Sequence, residues 1–258
     1  MKKICLFSSY STKSTIDNYV KFYVEILKSH FDEVILITNE RNVEKKEIDF
    51  LKRVNVKLKM VKNEGLDFGM YHKGIMEIDT TMYDQIAFVN DSCVLFNKRS
   101  LKILLEWVDK SDLDYCGITD SKQIKYHLQS YFTIVKKKAI PKLYDFYKSN
   151  GIFNGDSREI IEKYEIGLSQ MFIDNGFKIG SYFKCKNYAS PNISIMEAHN
   201  LINSDCPVIK KKLLLNSFRD HESDFLKAHN FNFKFNYRSV MNQKMRNTNV
   251  CLEYLMEL

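Results

Sequence analysis

Two short apolar runs constrain the fold of this chain more than any other feature. Glu33–Thr38 (EVILIT) and Gln85–Val89 (QIAFV) lack the polar alternation of a strand with one face in water. Runs of this kind are typical of strands covered by helices on both faces of a mostly parallel sheet. The sequence therefore predicts an α/β fold, and the low content of Gly (9) and Pro (3) also disfavours a turn-dense all-β design.

Helical and strand patterns alternate along the rest of the chain. A first strand is predicted over Lys3–Ser9 and a weaker third strand over Val56–Val61. Apolar residues then recur at helical spacing after Ser14, which with Asp17 three residues later indicates a capped helix start. The later patterns predict strands over Asp114–Thr119 and Leu128–Val135, and helices over Leu101–Val108, Ile140–Tyr147, Arg158–Asn175 and Val208–Leu215. We expect a main domain over residues 1–205 and a basic C-terminal extension over 206–258 packed on it.

Composition and missing motifs exclude several classes of protein. No uncharged apolar run approaches the ~18 residues of a membrane span. The six cysteines show neither C-x-x-C nor zinc spacing, which indicates reduced thiols and a cytoplasmic location. The net charge of +7 favours an anionic partner, although no nucleic-acid motif is present. The absence of G-x-G-x-x-G, G-x-x-x-x-G-K-[ST], H-E-x-x-H and G-x-S-x-G disfavours dinucleotide, P-loop, zincin and α/β-hydrolase chemistry.

Polar residues follow the fourth predicted strand directly, as Asn90-Asp91-Ser92. Open α/β sheets bind ligands at the carboxyl ends of their strands. A carboxylate at this position can hold Mg²⁺ or Mn²⁺, which neutralises a diphosphate leaving group. The alternative is that Asp91 only caps the turn into the next helix.

The segment NEGLDFG is a second candidate site, and it precedes an amphipathic stretch over Met70–Ile78. Gly65 and Gly69 permit close approach of the backbone to a ligand, and Asn63 and Asp67 can bind a base or ribose hydroxyls. The alternative is an ordinary glycine-containing turn that leads into a helix.

Five short motifs occur in an order that resembles the rhamnan synthesis protein F family of bacterial glycosyltransferases, which are similar to GT-A-type nucleotide-sugar transferases. The motifs are NEGLDFG at 63–69, NDS at 90–92, HLQSYF at 127–132, YExxLS at 164–169, and Pro191-Asn192 leading to Leu201-Ile202 and PVIK at 207–210. They lie within about residues 4 to 215, over which the resemblance extends. The resemblance implies a GT-A-like fold, with a mixed, mostly parallel sheet flanked by helices.

The resemblance also implies roles for individual residues. Asn90-Asp91-Ser92 stands where GT-A enzymes carry Asp-x-Asp, so a metal would rest on Asp91 because Asn90 replaces the first acidic residue. Glu165 is similar in context to the carboxylate that takes the proton of the acceptor hydroxyl. Its alternative role is that of a surface glutamate in ordinary ion pairs. Some GT-A enzymes close the metal site with a C-terminal histidine, for which His199 is a candidate.

Further residues would line the donor and acceptor sites. The donor-binding set comprises Ser8, Asn63, Gly65, Asp67, Gly69, Asn90 and Ser92. His127, Gln129 and Tyr131 alternate along a predicted strand and would share one face towards the sugar or acceptor, with Tyr131 as a stacking surface. The alternative is a polar sheet face turned to solvent.

The implied activity is transfer of a sugar from a UDP- or dTDP-sugar to a hydroxyl of a bacterial surface polysaccharide or its lipid-linked precursor. Inversion is expected, because no second carboxylate suggests itself as a covalent nucleophile. The runs Lys136–Lys138 and Lys210–Lys212 would meet anionic membrane lipid or a lipid-linked pyrophosphate at the inner face of the plasma membrane, or would form only solvated surface. The alternative function is a non-catalytic nucleotide-sugar or glycan-binding protein on the same fold, which the missing first Asp favours.

Overall fold

The computed structural model describes residues 1–185, 192–215, 223–228 and 236–247. The strands are Lys3–Ser9 (β1), Glu33–Asn39 (β2), Lys57–Val61 (β3), Gln85–Asn90 (β4), Cys93–Leu95 (β5), Tyr115–Ser121 (β6), His127–Leu128 (β7), Phe132–Lys136 (β8), Ile179–Phe183 (β9) and Val208–Lys210 (β10). The helices are Asn18–Lys28 (α1), Lys45–Arg53 (α2), Leu66–Ile75 (α3), Lys98–Lys110 (α4), Ile140–Asn150 (α5), Ser157–Ile160 (α6), Gly167–Asp174 (α7), Ile193–Met196 (α8), Ala198–Asn203 (α9), Ser223–Ala228 (α10) and Tyr237–Asn247 (α11). A π-helical turn over Ile161–Ile166 joins α6 to α7, and a 3₁₀ turn over Lys211–Leu214 follows β10.

The central sheet is mixed, in the strand order β3-β2-β1-β4-β8-β6-β7, with β9 paired to β6. Strands β3, β2, β1 and β4 run parallel, whereas β8 is antiparallel to both β4 and β6. A separate two-stranded sheet pairs β10 with β5 in antiparallel fashion. The α/β fold expected from the sequence is confirmed, as is a mixed central sheet flanked by helices.

Helices cover both faces of this sheet, as the apolar runs predict. In β1, Cys5 and Phe7 pack into one core with α1 and α4, while Ile4 and Leu6 pack into the other with α3, α5 and α7. All four side chains are fully buried. Because burying a large apolar side chain contributes about 1.5–3 kcal/mol, this double burial holds β1 rigidly in the middle of the sheet. A rigid central strand is a stable base for side chains at its carboxyl end.

Two local predictions are wrong, one for Ser14 and one for the segment Val208–Leu215. The helix after β1 starts at Asn18, and Ser14 does not cap it, because the Ser14 hydroxyl donates instead to Glu44 Oε1 at 2.7 Å. The segment Val208–Leu215 is not a helix but β10 followed by a 3₁₀ turn. Pairing with β5 satisfies its backbone, and such long-range pairing overrides local helical periodicity.

The predicted strand over Leu128–Val135 is interrupted between β7 and β8 by a turn at Ser130 and Tyr131. The predicted long helix over Arg158–Asn175 is present as α6, the π-helical turn and α7. In the described part of the chain, no helix is long and apolar enough to cross a membrane. The domain division at residue 205 stays a prediction; Pro191 and residues 216–222, 229–235 and 248–258 lie outside the described residues.

Candidate active site

Two neighbouring parallel strands end side by side at one edge of the sheet. Ser8 at the end of β1 lies in register with Asn90 at the end of β4, and the Asp91 amide donates to the Ser8 carbonyl at 3.1 Å. Helix α3 begins beside them and contributes Asp67. The residues that the sequence predicted for the donor site therefore converge here from three elements. This is the edge at which open α/β sheets bind ligands.

Asp67 is the carboxylate that ties these elements together. Its Oδ1 accepts a hydrogen bond from the Ser8 hydroxyl at 3.1 Å, and its Oδ2 accepts one from Asn90 Nδ2 at 2.7 Å. Burial raises the pKa of Asp67 to about 6, with a further contribution from the negative charge of Asp91, and the two hydrogen bonds oppose the rise. Asp67 is therefore a polar, partly buried group whose charge changes within reach of neutral pH.

The turn before Asp67 explains the two glycines of the NEGLDFG segment. Gly65 has φ +67° and its amide donates to Asn154 Oδ1 at 2.9 Å, while Leu66 also adopts a positive φ of 54°. A Cβ on Gly69 would lie 1.7 Å from the Glu64 carbonyl oxygen. Both glycines are thus required by the backbone itself, and the positive φ of Leu66, which is uncommon for a residue with a side chain, is a strain of the kind that clusters at functional sites. Asn63, the remaining member of the predicted set, is exposed between β3 and this turn.

Asp91 shapes the loop after β4. Its Oδ2 accepts from the Ser9 hydroxyl at 2.8 Å, and its backbone carbonyl accepts from the Tyr19 hydroxyl at 3.1 Å. Burial raises the pKa of Asp91, and the positive charge of Lys211 opposes that rise. Asn90 completes the loop, because its Oδ1 accepts from both the backbone amide of Ser92, at 3.1 Å, and its hydroxyl, at 2.5 Å.

Two lysines, at the end of β10 and directly after it, reach the same loop. Lys210 Nζ donates to the Ser92 hydroxyl at 3.0 Å and lies 4.5 Å from the ring centroid of Tyr131. Lys211 Nζ donates to the Tyr19 hydroxyl at 2.7 Å and lies 5.0 Å from the Tyr19 ring centroid. Sequence reasoning missed Tyr19, Ser9 and this position of the lysines. Only the PVIK motif hinted at Lys210.

Glu165 lies in the π-helical turn Ile161–Ile166 and is a buried carboxylate, with a side chain only 14% exposed. Its Oε2 accepts from the Ser130 amide at 2.8 Å and from the Ser130 hydroxyl, and its Oε1 lies 3.3 Å from His127 Nε2. This geometry excludes a surface glutamate in ordinary ion pairs. Burial raises the pKa of Glu165, but its contacts with His127 and Ser130 outweigh burial and leave the pKa lowered.

The contacts of His127 are those of a protonated imidazolium that pairs with the Glu165 carboxylate. Its Nδ1 lies 2.8 Å from the Lys125 carbonyl and its Nε2 faces Glu165 Oε1, so both ring nitrogens meet acceptors. Both contacts are satisfied only when each nitrogen carries a proton. Burial lowers the pKa of His127, and the hydrogen bond and charge of Glu165 reverse this and raise it.

Glu165, His127 and Ser130 form one cluster, the Glu165 cluster. It lies next to the strand-end cluster of Ser8, Asp67, Asn90 and Asp91. The carbonyl of Tyr131, the residue after Ser130, accepts from the Asn90 amide at 3.2 Å. Gln129 bonds to Thr119 Oγ1 at 2.7 Å and to Asn192 Oδ1 at 3.0 Å, and the Tyr131 hydroxyl is 2.6 Å from the same Thr119 oxygen. Gln129 and Tyr131 are buried in this network, so they do not form a polar sheet face turned to solvent. Tyr131 is only 2% exposed and presents no open stacking surface.

The described residues form no cage of carboxylate, histidine or cysteine ligands for a metal ion. Among the described residues, no group of three His, Cys, Asp or Glu side chains converges, and His199 lies on α9 outside any such group. Both Asn90 side-chain atoms and both Asp67 oxygens are already engaged. Asp91 Oδ2 is likewise engaged, by the Ser9 hydroxyl.

A cavity of about 550 Å³ lies at the opposite edge of the sheet, where β4 begins. Its lining residues include Thr80, Tyr83, Lys137, Pro141 and Tyr144. Lys137 of the predicted basic run lines it, but none of the other residues predicted for the donor or acceptor site does. We therefore base the functional assignment on the strand-end cluster.

Known proteins resemble this chain in sequence and in fold. It is 29% identical over 184 residues to virulence protein VirA of Vibrio anguillarum, a match that covers 69% of this chain and 58% of that protein. The chain thus spans less than two thirds of this relative.

Solved structures with a similar chain course include 4-diphosphocytidyl-2C-methyl-D-erythritol synthase from Anaerococcus prevotii, at 12% identity and a TM-score of 0.47 over 72% of this chain and 90% of that chain. S. aureus TarS matches at 14% identity and 0.42, over 71% and 59% of the two chains. Glucosyl-3-phosphoglycerate synthase from Mycobacterium tuberculosis, in complex with Mn²⁺, UDP and phosphoglyceric acid, matches at 6% and 0.38, over 53% and 56%.

The sequence profile of the family described as rhamnan synthesis protein F matches residues 34–257, a range that contains Asp67, Asn90, Asp91, Glu165 and Lys210. The resemblance seen in the short motifs is thereby confirmed: the chain belongs to the rhamnan synthesis protein F family.

Proposed function

We propose that this chain is a glycosyltransferase that moves a sugar from a nucleoside-diphosphate donor to the hydroxyl of a polysaccharide or of its lipid-linked precursor. One observation carries the proposal: hydroxyls, carboxylates and two ammonium groups converge at the carboxyl edge of β1 and β4, next to the buried carboxylate of Glu165. Membership of a family described by rhamnan synthesis supports the choice of a sugar as the transferred group.

The donor end of the proposed site is the edge formed by Ser8, Asp67 and the loop after β4. In this proposal Asp67 and Ser8 hold the nucleoside, and Asp91 and Ser92 lie at the diphosphate. Asp91 would be the single protein ligand of any Mg²⁺ or Mn²⁺ that arrives with the donor, since Mg²⁺ usually binds through one or two carboxylates plus substrate phosphates. Such a cation would supply positive charge at the departing diphosphate.

The acceptor end of the proposed site is Glu165. The acceptor oxygen bonds to the anomeric carbon as the bond from that carbon to the diphosphate oxygen breaks, and the electron pair leaves with the diphosphate. The proton of the acceptor hydroxyl passes to Glu165. His127 and Ser130 hold this carboxylate ionised and oriented before the acceptor arrives. Attack from the face opposite the diphosphate inverts the anomeric configuration, and an NMR assay that shows retention would contradict this step.

The identity of the donor is tested by thermal-shift measurements with UDP-, dTDP-, GDP- and CDP-sugars, each with Mg²⁺, Mn²⁺ or EDTA. A ligand at 100 times its dissociation constant stabilises a protein by about 2.7 kcal/mol, which is readily detected. We expect a shift confined to a UDP- or dTDP-sugar, followed by transfer to a glycan or lipid-linked acceptor. No shift with any donor would refute the transferase proposal. Contact with an anionic membrane stays a prediction of the sequence.

A glycan- or nucleotide-sugar-binding protein without activity is the second candidate. Asn90 at the place of the first acidic residue favours it, and so does the engagement of both Glu165 oxygens by other side chains. Binding of a donor without turnover over a broad panel of acceptors would support this candidate. Turnover that disappears in Glu165→Gln would exclude it.

A further inference from the structure

We propose that Lys210 and Lys211 bind the diphosphate of the donor and supply the positive charge that this group requires, so that donor binding persists without a divalent metal. The inference rests on the proposed function and assigns Lys210 and Lys211 to the donor, not to a membrane surface. Three observations support it. They are the position of the two ammonium groups, the neutral groups that they contact, and the hydrogen bonds that already occupy the neighbouring oxygen atoms.

The backbone fixes both lysines at the loop that follows β4. Antiparallel pairing puts Lys210 of β10 opposite Cys93 of β5, next to Ser92. The Lys211 amide donates to the Ser92 carbonyl at 2.8 Å. The two side chains therefore start from a paired backbone and not from a free tail. Their ammonium groups then meet the Ser92 hydroxyl and the Tyr19 hydroxyl.

The partners of these ammonium groups are neutral. Each lies over an aromatic ring and donates to a hydroxyl, and within the described residues neither forms an ion pair. Both side chains are half-buried. A cation that has lost part of its hydration and forms no ion pair among the described residues gains strongly from a phosphate ligand. Two such cations at one strand end match the multiple charge of a diphosphate.

The nearby carboxylates feel these cations. Burial raises the pKa of Asp67 and of Asp91, and the charge of Lys210 opposes the rise at Asp67 as that of Lys211 does at Asp91. The lysines thus act on the same volume in which the donor is proposed to bind. Asn90 stands where a second metal-binding carboxylate is expected. Its Nδ2 donates a hydrogen bond to Asp67, and its Oδ1 accepts one from the Ser92 amide. The ammonium groups of the two lysines are therefore the positive charges that would neutralise a diphosphate at this edge.

Calorimetric titration of the full chain with UDP and dTDP tests the inference, with uridine and thymidine as probes that lack phosphate. We expect the diphosphate to bind in EDTA with a dissociation constant within about threefold of that in Mn²⁺. Lys210→Met and Lys211→Met should each weaken binding by at least about tenfold, the loss typical of one charge-assisted hydrogen bond. Lys212→Met is the matched control, because Lys212 belongs to the same run but is exposed, and it should bind as the wild type does.

Lys210→Arg keeps the charge and should retain binding, which separates loss of charge from loss of folding. Nucleoside diphosphate binding that vanishes in EDTA and returns with Mn²⁺ would overturn the inference. Lysine variants that bind like the wild type, or a diphosphate that binds no better than its nucleoside, would also overturn it while leaving the donor site intact. If UDP, dTDP, GDP and CDP all fail to bind the wild type with or without metal, the proposed function fails as well.

Discussion

Asn90 donates a hydrogen bond of 2.7 Å to Asp67 and so links the end of β4 to the first turn of α3. The bond explains how a carboxylate tolerates partial burial beside a second acidic residue, Asp91. It also explains why an amide stands at position 90: a carboxylate there would face Asp67 across a hydrogen-bond distance.

Asn90→Asp should destabilise the protein, because it replaces a donor with a like charge. We expect a loss of about 2–3 kcal/mol in the free energy of unfolding at pH 8, and a smaller loss at pH 5, where the two carboxyl groups can share a proton. Urea denaturation at the two pH values measures the difference. Asn90→Ala removes the same hydrogen bond without adding charge, so its loss should change less with pH. Equal losses for Asn90→Asp at both pH values would refute the charge explanation.

The pKa of Asp67 predicts a pH dependence of stability. Because its folded pKa of about 6 lies above the ordinary pKa of an aspartate side chain, the unfolded chain ionises first as the pH rises. Asp67 therefore costs no stability below about pH 4 and costs most above about pH 6. Asp67→Asn should gain stability relative to the wild type between pH 4 and pH 7, by up to about 3 kcal/mol. Parallel stability curves for the two proteins would show that Asp67 does not titrate in this range.

Glu165→Gln should abolish transfer but spare donor binding. The amide keeps an oxygen for Ser130 but cannot take a proton, so the turnover number should fall by about 10²–10⁴-fold while the dissociation constant of UDP or dTDP stays the same. Glu162→Gln is the matched control, because Glu162 lies one turn earlier, is 43% exposed and pairs only with Arg158 among the ion pairs of the described residues. A similar loss in both variants would mean that Glu165 acts through helix stability.

Gly69→Ala should be strongly destabilising, since its Cβ would fall 1.7 Å from the Glu64 carbonyl oxygen. We expect a loss of at least about 2 kcal/mol, measured by thermal unfolding. Gly167→Ala is the control in α7, where the nearest contact of a Cβ is an ordinary 3.5 Å. That helical position should gain about 0.5–1 kcal/mol. Tolerance of alanine at 69 would show that the turn before α3 can shift without cost.

The local sequence pattern determined the elements that depend on short-range chemistry. The runs at β2 and β4 predicted strands buried on both faces because apolar side chains without alternation require cover on each side, and the structure confirms this. The short motifs also pointed to Asp67, Asn90 and Asp91, and the parallel pairing of β1 with β4 brings Ser8 beside Asn90.

Tertiary structure decided everything that depends on partners distant in the chain. Ser14 bonds to Glu44, Ser130 bonds to Glu165, and β10 pairs with β5, and none of these contacts leaves a signal in its own segment. These contacts between distant segments stabilise the fold. They override the local preference for a cap at Ser14, a continuous strand through Ser130 and a helix after residue 207. The same pairing carries Lys210 and Lys211 to the loop after β4, because only the folded chain brings residues more than a hundred positions apart within hydrogen-bond reach.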